Sequence, residues 1–185
     1  MADAKLRRRS RAGATIGCFL LTLGMSLEQA SAQQPSETFE VPAVEHVMTV
    51  RATIDAPIAM GKTPLGQRRV IAISGGTFEG PNLKGTIMPG GEDWQVVRED
   101  GVTELDARYA LRTDDGAIIR VHNQVLLNPP AEGVAGAKQY LRSSVRFEAP
   151  IGKYDWLNKA IFVGTLAADV TQRPPVVTLG FFKVN

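Results

Sequence analysis

Two stretches of the chain bring acids and arginines onto a common face. Around Asp106 the residues alternate: Leu105, Ala107, Tyr109 and Leu111 fall on one side, and Asp106, Arg108, Ala110 and Arg112 on the other. Around Arg142 the pattern repeats, with Tyr140, Arg142, Ser144, Arg146 and Glu148 opposite Leu141, Ser143, Val145 and Phe147. A period of two is that of a β-strand, whose successive side chains point to opposite faces. If the polar faces look into a partly dry pocket, Asp106 or Glu148 can act as a base while Arg108 and Arg142 stabilise an enolate or carboxylate oxygen. Such an arrangement suits isomerisation, elimination or ring opening at a carbon next to a carbonyl. The same residues also make sense as solvent-facing strand charges, paired across strands for a fraction of a kcal/mol.

Three aromatic residues could wall or close such a pocket: Trp94, Tyr109 and Trp156. Trp94 leaves the glycine-rich turn Pro89-Gly90-Gly91 and would either stack on a ring-shaped ligand or plug a barrel end. Asp114 and Asp115 read as turn formers, because aspartate side chains bond nearby backbone amides. His46 and His122 sit on separate runs without a second ligand at metal-binding spacing, so no metal site is expected. Neither Gly75-Gly76 nor Gly90-Gly91 precedes a helix, on whose N-terminus glycine-rich phosphate cradles depend. No nucleotide site or other cofactor is expected.

The elements that would position these residues are strands. Val44 to Ile54 alternates over its whole length, and further runs span 69–74, 83–88, 94–98, 104–113, 117–127, 138–147, 159–170 and 176–184. Between them lie the turn signals Gly75-Gly76, Gly80-Pro81, Pro89-Gly90-Gly91, Asp100-Gly101, Asp115-Gly116 and Pro129-Pro130. Asp115-Gly116 marks a hairpin between two long strands. No sustained helical periodicity is present beyond a single turn near Tyr154 to Lys159, and parallel sheets need crossover helices. The expected fold class is therefore all-β. An antiparallel, closed or nearly closed barrel of about 8–10 strands leads, with a sandwich as runner-up.

Several segments match a known pattern together. Arg69-Val-Ile-Ala-Ile-Ser-Gly-Gly-Thr-Phe-Glu-Gly-Pro81, Leu83-Lys-Gly-Thr-Ile-Met-Pro-Gly-Gly91, Asp93-Trp-Gln95, Leu105-Asp-Ala-Arg-Tyr109 and Thr113-Asp-Asp-Gly-Ala117 resemble the domain-of-unknown-function 3237 family. Tyr140-Leu-Arg142, Phe147-Glu148, Tyr154-Asp-Trp-Leu-Asn158 and Phe162-Val-Gly164 continue the resemblance. It implies an antiparallel β-barrel of lipocalin-like appearance and carries no general biochemical assignment. The run Gln124-Val-Leu-Leu departs from the basic, glycine-containing turn more usual there.

The N-terminus reads as an export signal: Lys5, Arg7, Arg8, Arg9 and Arg11, then an apolar run to about Leu27, then the small-residue triplet Ala30-Ser31-Ala32. The expected division is a cleavable signal over residues 1–32, a proline-interrupted tether over 33–41 and one barrel domain over 42–185, located in the periplasm or secreted. Loss of the signal removes five of the 21 Lys and Arg and two of the 19 Asp and Glu, turning a net charge of +2 into −1. A nucleic-acid or anionic-membrane partner is then not expected. The sole cysteine, Cys18, leaves too, so the mature domain has no disulfide and no thiol nucleophile. The expected partner is a small organic molecule, aromatic or carbonyl-bearing, held in the lumen; a homo-oligomer is compatible with the sequence. Simple binding leads, and a cofactor-independent isomerase or lyase is the alternative. In an exporting bacterial host the secreted chain should begin at Gln33, which intact-mass measurement of the secreted protein checks; a chain that retains Met1 would refute cleavage.

Overall fold

Among the described residues, alternation and turn chemistry together produce ten strands and one short helix. The computed structural model describes residues 39–185 apart from 131 and 135, so the expected signal and all of the tether before Phe39 lie outside the described residues. In chain order the elements are β1 (Val44–Ile54), β2 (Ile58–Thr63), β3 (Gly66–Glu79), β4 (Lys84–Ile87), β5 (Gly91–Val97), β6 (Thr103–Thr113), β7 (Ile118–Asn128), β8 (Tyr140–Glu148), a 3-10 turn η1 (Asp155–Asn158), β9 (Phe162–Asp169) and β10 (Val176–Val184). All pairings are antiparallel. The order β1-β10-β9-β8-β7-β6 continues through β4 and β5 to β3, and β1 pairs with β3 as well as β10, so the sheet closes on itself. Because β4 and β5 share one position between β3 and β6, the ring is an eight-stranded antiparallel barrel, with β2 attached to β3 as a hairpin arm.

Two features differ from the sequence reading. The Gly75-Gly76 pair is inside β3, not in a turn. There β1 crosses so closely that a Cβ on Gly76 would stand 2.1 Å from the Arg51 carbonyl oxygen, and the register slips by one residue. Such a glycine-supported bulge lets a long strand bend from one partner to another: β3 pairs with β5 below it and with β4 above. Strand β2 was not expected, because Ile58-Ala-Met-Gly-Lys-Thr63 neither alternates nor carries β-branched residues throughout. The Asp115-Gly116 hairpin is present, with Gly116 at φ +88 and its amide on the Thr113 carbonyl.

The two ends of the barrel differ. At one end Met48, Leu111, Ile119, Val121, Phe162 and Phe181 fill the interior completely. Phe147 meets Phe162 edge to face at 4.9 Å and Phe181 at 5.8 Å, the geometry that aromatic quadrupoles favour. The η1 turn covers this end with Leu157. Asp115 anchors the approach to η1 by accepting from Tyr154 Oη at 2.9 Å and Lys153 Nζ at 2.8 Å. At the other end the same strands line an open cavity. Stability should therefore reside at the filled end. Phe162→Ala should lose about 3–5 kcal/mol of unfolding free energy, whereas Leu141→Ala, facing the cavity, should lose well under that; chemical denaturation of both variants compares them.

Candidate functional site

Small residues at register-matched positions make room for polar ones. Ala107 on β6 pairs with Asp93 on β5 and with Asn123 on β7, so the side chains of Asp93 and Asn123 flank a single methyl group. One step toward the mouth, Gln95 pairs with Arg69 and with Leu105. One step toward the floor, Gly91 gives Tyr109 its place: a Cβ there would lie 2.5 Å from the Tyr109 Cβ. These rows face a cavity of about 1100 Å³, otherwise walled by residues such as Ile71, Ile73, Leu105, Val125 and Leu141. Apolar walls with a few convergent polar groups characterise small-molecule sites, which span roughly 300–1,000 Å³.

The polar groups form a chain that stops short. Arg69 Nε donates to Gln95 Oε1 at 2.7 Å, and Gln95 Nε2 donates to Asp93 Oδ2 at 2.5 Å. Asp93 Oδ1, Tyr109 Oη and Asn123 Oδ1 are shielded from solvent and have no hydrogen-bond partner. Buried polar atoms are nearly always partnered, and exceptions need a reason; here three lie together on one cavity wall. Burial pushes the Asp93 carboxyl above its ordinary range, the Asp106 charge adds to this, and together they outweigh the lowering by Gln95 and Arg69. Burial, with the charge of Asp93 second, pushes the Tyr109 phenol up as well, so Tyr109 stays a hydrogen-bond donor at neutral pH. A carboxyl poised upward, a guanidinium one residue away and a protonated phenol can move a proton and stabilise an oxygen that gains charge.

Of the residues singled out in the sequence, Tyr109 alone belongs to this wall. The lumen takes the apolar faces of the strands, the ordinary result when solvent lies outside, so Asp106, Arg108, Arg142 and Glu148 point outward. Asp106 accepts from Arg108 Nε at 2.9 Å and lies 3.0 Å from His122 Nε2. Burial works to raise its carboxyl, but these two partners more than offset that and hold it low. Glu148, exposed, pairs with Arg120 at 3.1 Å. Arg142 lies over the Tyr140 ring. Trp94 is on the outer face and donates its indole N–H to Glu92 at 2.8 Å. Trp156 stands on η1 at the filled end, 6.2 Å from the Phe162 ring. The carboxylate and guanidinium of the expected chemistry thus occur in the lumen, but as Asp93 and Arg69. Asn123 carried a readable signal, a lone amide between Val121 and Val125 on an apolar face. Asp93 did not: β5 turns Trp94 outward and its acid and amide inward, against the usual rule.

Fold and site together define a one-ended β-barrel with an internal cavity of small-molecule size. The chain belongs to the family described as protein of unknown function (DUF3237), whose pattern matches residues 42–184. A UPF0311 protein of Clostridium acetobutylicum is 36% identical over 151 residues, covering 76% of this chain and 93% of that one. The crystal structure of a beta-barrel like protein from Acinetobacter baumannii aligns with a TM-score of 0.70 at 28% identity, over 80% of this chain and 99% of that one. A hydroalkoxylation enzyme of Penicillium herquei is 33% identical over 93 residues, which is 50% of this chain and 53% of the enzyme.

The raised Asp93 carboxyl has a measurable consequence for stability. Between the ordinary aspartate range and its folded value, the folded state binds more protons than the unfolded one, so stability falls as pH rises through that window and the cost is complete above it. Asp93→Asn does not titrate. Its Tm should exceed that of the parent at neutral pH, by a few degrees, and the difference should vanish below the ordinary aspartate range; superimposable Tm profiles from pH 3 to 8 would refute the assignment.

Proposed function

We propose that the protein takes a small, mainly apolar organic molecule into the open half of its barrel and moves a proton on it with Asp93, without a cofactor. The observation that carries this reading is the partnerless Asp93 oxygen beside the Gln95–Arg69 pair in the wall of an otherwise apolar cavity. As a carboxylate, Asp93 can take a proton from a hydroxyl group, or from a carbon next to a carbonyl. Arg69 at the mouth and Tyr109 at the floor can stabilise the oxygen that becomes negative.

The similarity to a hydroalkoxylation enzyme supports one reaction type within this class. Addition of an alcohol across an alkene breaks an O–H and a C=C π bond and forms C–O and C–H bonds, so it needs no oxidant or reductant. One carboxyl suffices for the proton: it accepts from the hydroxyl and returns the proton to carbon. Isomerisation and elimination next to a carbonyl make the same demand on Asp93. Binding without turnover is the second reading, favoured by the predominance of apolar wall. The basic stretch, apolar run and Ala30-Ser31-Ala32 triplet support the further reading that the protein works outside the cytoplasm.

Thermal-shift screening of hydroxylated alkenes, phenols, lactones and enones should yield stabilising compounds, and product analysis of these hits separates the two readings. For a converted compound, Asp93→Asn should lower kcat by about 10²–10⁴-fold, the usual share of general acid–base catalysis, while the compound still stabilises the variant. Hits that are never converted would leave binding alone, and a broad library without hits would count against both.

A further inference from the structure

The barrel wall is incomplete at one seam. Strands β8 and β9 pair only through Ser143↔Gly164, Ser144↔Val163 and Val145↔Phe162. Beyond these, Tyr140, Leu141 and Arg142 are held by β7 alone, and Thr165 to Asp169 by β10 alone. Two strand edges therefore face each other across a gap in the hydrogen-bonded ladder near the open end. Leu141, Leu166 and Ala168 border it from the lumen, and so does Ala167, although it alternates to the outer side of β9. Of the described residues on the β9 edge, Ala167 and Ala168 are small and exposed.

Outside lies a groove of about 760 Å³ across β5 to β9, which shares Leu105 and Val125 with the lumen lining. Its apolar surface comes from Trp94, Leu126, Tyr140 and Val163, with Trp94 39%, Leu126 42% and Tyr140 53% exposed. Unpaired strand edges invite pairing with other chains unless they are blunted. Arg142 does so on β8: its Nη1 donates to the Leu141 carbonyl oxygen at 2.8 Å while its guanidinium sits 5.9 Å over the Tyr140 ring. The Tyr140–Arg142 flank is thus held in place.

We propose that the gap is a side exit for the ligand, so that the substrate class is an amphiphile: a hydroxyl-bearing head at Asp93 and an apolar alkyl or alkenyl extension that passes between β8 and β9 onto the outer groove. This rests on the reading that the lumen is the ligand site. On the β8 edge Leu141 lines the lumen while its neighbours Tyr140 and Arg142 line the outer groove, so one strand edge separates the two surfaces. Head and tail are recognised on opposite sides of one wall.

The test is a series of 4-alkylphenols, from methyl to dodecyl and below their aggregation concentrations, titrated calorimetrically into the parent chain, Ala168→Trp and Leu126→Gln. In the parent, affinity should rise about fourfold per methylene, the value for burying one such group, and continue to rise for chains longer than the lumen. Leu126→Gln, outside the lumen, should bind short phenols as the parent does and lose the gain for long ones, and Ala168→Trp, which fills the gap, should lose the same gain relative to its own affinity for short phenols. If the gain stops at the same length in all three proteins while short phenols bind normally, the side exit is overturned and the lumen reading stands. If no phenol of any length binds, the lumen reading fails and the side exit with it.

Discussion

The edge-to-face cluster of Phe147, Phe162 and Phe181 is what the rest of the barrel depends on. The described residues hold no cysteine and one short helix, so this cluster is central to the buried core of the barrel. Aromatic pairs contribute about 0.5–1.5 kcal/mol beyond their buried area, and Met48, Leu111, Ile119 and Val121 pack around them without voids accessible to solvent. Because this end is full, the other can be hollow. Each long strand accordingly changes role along its length: β6 contributes Leu111 to the packed end, Tyr109 to the floor and Leu105 to the cavity wall.

Close approach sets the geometry of the polar wall. Gly91 leaves room for Tyr109, and Ala107 separates Asp93 from Asn123 by no more than a methyl group. The resulting wall holds a carboxyl whose own environment disfavours its charge. Concentrating that unfavourable electrostatics on one residue is tolerable because the packed end lies elsewhere. Outside, the charges behave in the opposite manner: Asp106 is satisfied by Arg108 and His122, and Glu148 by Arg120, as strand charges in water ordinarily are.

Much of the fold was legible in the sequence because closure follows from short alternating runs, glycine-bearing turns and the absence of crossover helices. The hairpin at Asp115-Gly116, the long strands around Asp106 and Arg142 and the single helical turn near Tyr154 all follow from local chemistry. The position of Gly75-Gly76 did not, since a glycine pair signals a turn unless one knows that β1 crosses over it. The orientation of the polar residues was not legible. Period-two patterns divide a strand into two faces without saying which face is inside, and the richer polar face drew attention to Asp106, Arg108 and Glu148. Asp93 and Gln95 face inward only because β5 pairs with Arg69 and Ile71 on one side and with Leu105 and Ala107 on the other. That is a property of register between strands distant in sequence, which no single strand displays.

The division of the barrel into a packed end and a hollow end also bears on how such proteins diversify. Substitutions around the mouth, at positions such as Leu127, Gln139, Leu141 and Leu166, alter the shape of the cavity without touching the aromatic cluster that keeps the chain folded. The shape of the cavity can therefore change at little risk to folding, and related sequences occur in organisms as distant as Clostridium acetobutylicum and Penicillium herquei.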